Sequence, residues 1–285
     1  VLERLRTPWI WLVTIAVGAM ATIFSSWITQ IPAQLANPQE AKDSIRSGPD
    51  FSVSVDTVRL DDEGRSAVFQ GEFRPSAAQQ RILSRPGAAA APWFDRFVHA
   101  AGGVNLDDLT VRLTLTGHRN QQIDILDIRP DIVRRTVPLS GTYVCVPSQG
   151  GPSTMNMVFD MDRPSPIARD IGSGGSDAGI PGRPFFGQRT ITLRDTEQQV
   201  VLARAFTARH YAAFRLDVTY MLGDKEKHAV IDDHRHPFQV TAISPGAGRK
   251  GSSYRRVFSL QNDYSVCQSA GSGASAAAEM ACTPC

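Results

Sequence analysis

Apolar positions in this chain follow three rhythms. The commonest has a period of two. Phe51, Val53 and Val55 alternate with serines; Leu109, Val111, Leu113 and Leu115 alternate with Thr110, Arg112 and Thr114; Phe214, Leu216, Val218, Tyr220 and Leu222 alternate with Arg215, Asp217 and Thr219. Successive side chains of a strand point to opposite faces, so each run predicts a strand with one face on a core and one in water. Weaker runs lie at 121–128, 141–146, 154–161, 188–194, 198–206, 237–243 and 254–260. The turn signal Asp61-Asp62-Glu63-Gly64 precedes Ala67-Val68-Phe69, which predicts a hairpin over 51–73. Many short strands separated by Gly, Pro and Asp predict a mainly β protein, an antiparallel β-sandwich of one large or two small modules.

The second rhythm is helical and brief. One helix is predicted over 76–83, behind Pro75. Another opens at Pro92, carries an apolar stripe of Trp93, Phe94, Phe97 and Val98, and stops at Gly102-Gly103. That stripe reads as packing against a sheet. The third rhythm is continuous. No charged residue occurs from Thr7 to Gln39, and 9–28 is an apolar run. Twenty residues at about 1.5 Å each span roughly 30 Å, the thickness of a bilayer core. Trp9 and Trp11 mark one end and Trp27 the other, where indoles prefer to sit; Arg4 and Arg6 precede the run. The reading is a transmembrane anchor at 9–29 with 1–8 cytoplasmic and the rest extracytoplasmic. The rival is a cleaved signal peptide, which normally has a shorter apolar core and a small-x-small site; Gln34-Leu35-Ala36 lacks the first small residue.

These rhythms divide the chain. A polar spacer at 30–50 leads to a β-rich stretch at 51–162. A Gly/Pro/Ser-rich segment at 163–187 precedes a second β-rich stretch at 188–267. A structureless loop of that length marks either a boundary between two modules or a functional loop on one large sandwich. Residues 268–285 read as a disordered Ala/Gly/Ser tail. The 285 residues are 42% hydrophobic and 20% charged with a net charge of +2, which excludes a disordered charged tail, a multi-span membrane protein and nucleic acid as a main partner.

Candidate chemistry is sparse. His228, His234 and His236 cluster with Asp232 and Asp233, and with Asp233 the three imidazoles form a possible metal set. Asp-Asp ahead of a Pro-Phe strand also reads as a solvated hairpin turn. Asp160 and Asp162 share one strand face as a carboxylate pair for calcium or glycoside hydrolysis, or as a solvent-facing edge. Gly246, Gly248 and Gly251 spell G-x-G-x-x-G, but a strand follows where a dinucleotide site needs a helix, so a basic loop is expected. Neither a G-x-S-x-G elbow nor H-E-x-x-H occurs. Phe185 and Phe186 beside the Gly-rich segment form either a partner-binding patch or a plug closing the sandwich.

Four cysteines allow three pairings. Cys145 and Cys267 lie in strand-like runs, which favours a Cys145–Cys267 bridge. Cys282-Thr283-Pro284-Cys285 then remains for a local or intermolecular disulfide, because the βαβ context of a redox C-x-x-C is missing.

The anchor, the Ala/Arg-rich composition and the phrases Pro138-Leu139-Ser140-Gly141-Thr142-Tyr143, Phe159-Asp160-Met161-Asp162 and Pro237-Phe238-Gln239-Val240 resemble the uncharacterised single-pass membrane-anchored envelope proteins of high-GC actinobacteria. That resemblance implies a tethered extracytoplasmic β-domain at the plasma membrane, and no catalytic residue is carried over. The expected function is a non-enzymatic protein held by the lipid bilayer that binds another envelope protein or component. The alternatives are an envelope hydrolase, metal-assisted through His228, His234, His236 and Asp233, and a sensor.

Overall fold

The computed structural model describes residues 39, 42–43, 46–58, 64–147, 157–171, 181–245 and 254–269. The expected anchor with Trp9, Trp11 and Trp27, the glycine loop 246–251 and the tail with Cys282 and Cys285 lie outside them. Among the described residues no helix is long and apolar enough to cross a membrane.

The fold is mainly β, with two sheets in a sandwich-like arrangement. The six-stranded sheet runs β1 (Phe51–Val58), β4 (Asp108–Gly117), β11 (Gln198–Phe206), β7 (Met157–Asp160), β8 (Arg169–Ile171), β9 (Pro181–Pro184). The ten-stranded sheet runs β10 (Ile191–Leu193), β5 (Ile123–Thr136), β12 (Tyr211–Leu222), β14 (Phe238–Thr241), β3 (Gly103–Leu106), β2 (Ala67–Phe69), β6 (Thr142–Cys145), β15 (Arg256–Leu260), β16 (Val266–Gln268), with β13 (Lys225–Ile231) also on β12. The period-two runs behave as their pattern requires. Leu109, Val111, Leu113 and Leu115 face Phe214, Leu216 and Val218 of the other sheet in one buried cluster.

Three expectations need correction. The 51–73 hairpin does not form: β1 pairs with β4, while β2 sits between β3 and β6 in the other sheet. The reason lies in the faces. Strand β1 is apolar on one side only and suits a half-exposed sheet edge; all three residues of β2 are buried and need an interior slot. Segment 163–187 is not a boundary between separate modules either. Strands from both sides of it pair as β4 with β11, β5 with β12 and β6 with β15. The parallel pairs β6–β15, β7–β11 and β3–β14 make the sheets mixed rather than purely antiparallel.

Strand β5 runs eight residues past the expected end at 128, reaching Thr136. Its register against β12 shifts twice, so Val133 and Leu126 have no opposite residue and remain exposed. Bulges of this kind break the alternation on which the sequence reading depends.

The helices form where expected. Helix α1 (Ala77–Leu83) is closed by a capping box in which Ser76 accepts from the Gln79 backbone N–H and Gln79 accepts from that of Ser76. Helix α2 (Phe94–Ala100) buries Phe94 and Val98 in a second core with Phe69, Val144, Phe258 and Val266. This core lies on one face of the β2–β6–β15–β16 end of the large sheet. Gly103 lets β3 approach the helix: a Cβ there would lie 2.5 Å from Val98 Cγ1 and 2.9 Å from Val98 O.

A polar cleft and two charged knots

Strand β12 has one edge paired throughout with β5. Its other edge is shared, with β14 opposite 211–214 and β13 opposite 216–222. The chain passes from β13 to β14 through a tight turn. Asp233 and His236 exchange both backbone hydrogen bonds at 2.9 Å, and the central His234 and Arg235 have φ of 53° and 74°. Two successive positive φ values are the signature of a type I′ turn. Asp232 steadies it by accepting from the Arg235 N–H at 2.9 Å. Hairpin-turn chemistry is therefore what the Asp-Asp signal marked.

The turn disperses the imidazoles. His234 is exposed and meets Asp233 Oδ1 at 2.9 Å. His228 stands on β13 opposite Thr219, with Asp217 and Glu226 beside it at 3.9 and 3.7 Å. Only His236 and Asp233 reach a common wall. Among the described residues no three His, Cys, Asp or Glu side chains are grouped to hold a metal ion, so the expected metal set is not assembled.

That wall belongs to a cavity of about 300 Å³. Its polar lining comes from five places in the fold: Thr57 on β1, His99 on α2, Asn105 on β3, Asp233 and His236 in the turn, and Gln239 on β14. His99 and Asn105 lie 2.6 Å apart from Nε2 to Oδ1, which fixes the imidazole plane against a buried amide. Gln239 accepts from the Tyr211 hydroxyl at 2.8 Å. The cleft thus presents two imidazoles, two amides, a carboxylate and a hydroxyl, a set suited to hydrogen-bonding a polar ligand. Sequence reasoning missed His99, Asn105 and Gln239. Nothing in the letters joins a residue at a helix end to a turn more than a hundred positions later.

Two charged knots are structural. Asp50 receives Arg119 Nε at 2.7 Å on one oxygen, and Lys227 Nζ at 2.7 Å and the Tyr220 hydroxyl at 2.8 Å on the other. Burial alone would raise its pKa; the donors from Lys227, Arg119 and Tyr220 outweigh that and hold it below the ordinary carboxylate range. Tyr220 answers by rising to about 12, through burial and its bond to Asp50. Arg119 also donates to the carbonyls of Arg46 and Gly48, and Asp43 accepts from the backbone of Asn120 and Gln121. The segment entering the sandwich is therefore tied to its base at several points.

The second knot holds the expected Asp160–Asp162 pair. Asp162 accepts from the Thr207 hydroxyl, the Ala208 N–H and His210 Nδ1, each at 2.8 Å. Burial opposes ionisation here too, but the Ala208, His210 and Thr207 bonds prevail and lower its pKa. Asp160 turns instead to the Asp162 N–H and Arg163. The two carboxylates cap a loop and are spent on different partners.

Phe185 is 6% exposed in the main core, with Phe186 packed edge-on at 5.0 Å and the Arg189 guanidinium 5.3 Å from the Phe185 ring centre. Phe186 is half-buried and packs against the same core. Cys145 and Cys267 are both disulfide-bonded. Ser259 of β15 is the register partner of both, Cys145 on β6 and Cys267 on β16.

No protein-family model matches the chain, and no curated protein matches it.

Proposed function

We propose that this chain is a membrane-tethered extracytoplasmic β-sandwich protein that binds another cell-envelope component, and that the cleft between α2, β3 and the 233–236 turn is where it binds. The observation that carries the reading is the cleft's lining. It gathers hydrogen-bonding side chains from five separate places around one cavity. Such a lining suits the recognition of a polar ligand. The uncharged run with tryptophans at both ends supports the tether. The knot at Asp50 supports a fixed posture, since it holds the incoming segment rigidly to the sandwich.

The test is site-specific photo-crosslinking of the full chain in intact cells. A crosslinker at Gln239 or Thr57 is expected to capture one heterologous envelope component, and one at Val200, exposed on the other sheet, is not. Capture should fade in the His99→Ala, His236→Ala double variant. Equal capture from Val200, or self-crosslinks alone, would overturn the reading.

A further inference from the structure

Strand β1 closes one edge of the six-stranded sheet, and its eight residues pair with β4 in an unbroken register. Just ahead of it, the His118 N–H donates to the Asp50 carbonyl at 2.8 Å, directly opposite in the same register. Hydrogen-bonded pairs alternate along an antiparallel ladder, so Ser52, Ser54, Asp56 and Val58 turn their backbone groups to β4. Phe51, Val53, Val55 and Thr57 turn theirs the other way. Among the described residues no strand or loop pairs with them there. The outer edge thus offers both backbone groups of each of these residues, in steps of about 6.8 Å.

Proteins guard open edges with prolines, lysines, bulges or very short strands. The other edges here are guarded. Strand β9, at the far side of the same sheet, begins and ends in proline. Strand β13 carries Lys225 and Lys227, and β10 and β16 have three residues each. Beyond its pairing with β10, β5 carries Pro130 and both register shifts. Strand β1, FSVSVDTV, has none of these devices. Its one charge, Asp56, is paired with Arg112 of β4 at 3.2 Å. Its open edge also ends at the cleft, whose wall includes Thr57.

We propose that the bound envelope component is a polypeptide, which adds an extended segment to the open edge of β1 and lays a polar side chain in the cleft beside Thr57. The inference rests on the cleft being the binding site and adds what kind of molecule binds there. The backbone row selects the occupant. An extended chain repeats N–H and C=O along one side at the spacing β1 presents, and a strand so added gains its affinity from main-chain hydrogen bonds. The cleft, with His99, Asn105, Asp233, His236 and Gln239, then reads one side chain of that strand.

The experiment is photo-crosslinking of the full chain in intact cells, with the crosslinker placed in turn at Ser52, Ser54, Asp56 and Gln239, followed by mass spectrometry of the captured species. All four positions are expected to capture the same polypeptide. The sites hit from Ser52, Ser54 and Asp56 should advance along it two residues at a time, as paired strands require. Val53→Pro removes an outward N–H and no ladder bond, and should abolish capture from Gln239. Val53→Ala shortens the same side chain, keeps the N–H and should retain capture. Capture of a glycan or lipid from Gln239, or of a polypeptide that Val53→Pro leaves unchanged, would overturn the added strand and leave the cleft reading standing. Crosslinks from β1 to a second copy of this chain would overturn it too. No capture from Gln239 in the parent chain would remove the cleft reading and the added strand together.

Discussion

Asp50 and Arg119 form an ion pair with side chains 7% and 8% exposed, its Nε–Oδ1 distance 2.7 Å. Each partner is desolvated, so neither is tolerable alone. Asp50→Ala is expected to cost about 3–5 kcal/mol, because it strands Arg119 in a buried site. The double change Asp50→Ala, Arg119→Met should cost less than the sum of Asp50→Ala and Arg119→Met made singly. Urea titration of the four proteins measures the coupling. The pH dependence follows from the lowered pKa. The Asp50 contribution is present above its ordinary value of 3.8 and is lost as pH falls through the lower folded value.

Asp107 has the opposite sign. Its φ is 65°, and its carboxyl is pushed up to about 6 by the protein packed around it and by Asp108, against a bond from the Ile243 backbone. Asp107 as a residue still reaches solvent, which screens much of the effect. Ionising it opposes folding, so stability declines as pH rises from about 4 to about 6 and then levels. Asp107→Asn removes that slope. It should gain about 1 kcal/mol at pH 7 after allowance for screening, and nothing at pH 4. Melting curves at the two pH values decide it.

The 233–236 turn stores strain at two non-glycine residues. Replacing His234-Arg235 by Asn-Gly supplies the preferred type I′ pair and should raise stability by about 1 kcal/mol. Chemical denaturation reads the gain, and metal content should stay unchanged.

Phe185 and Phe186 are neighbours with different roles. Phe185→Ala is expected to lose about 3–5 kcal/mol, the cost of a large buried ring. Phe186→Ala, at a half-buried position, should lose far less. Equal losses would contradict that division.

What could be read in advance depended on whether one face decided an element's position. Strands β4 and β12 alternate cleanly because one side meets the core, and their letters show it. Helix α1 announced itself through Ser76 and Gln79, since a capping box is local. Strand β2 did not, because burial on both sides erases the alternation that assigns a partner. Strand β5 hid its second half behind Pro130 and two register shifts. In the cleft, Asp233 and His236 were visible because they flank a turn. His99 and Asn105 were not, because only the parallel β3–β14 contact brings them to that turn.

That interleaving also sets the order in which the molecule can be made. Strand β2 is hydrogen-bonded to β6, and β6 waits for β15, whose first residue, Arg256, lies near the end of the chain. A polypeptide emerging from its N-terminus must therefore hold β6 unpaired along one edge until more than a hundred further residues have followed. Loop closure over such distances is slow, and exposed edges in the meantime invite wrong partners. Newly made chains are therefore most exposed to aggregation and proteolysis before β15 arrives, and a chain cut short ahead of Arg256 would leave one side of β6 open.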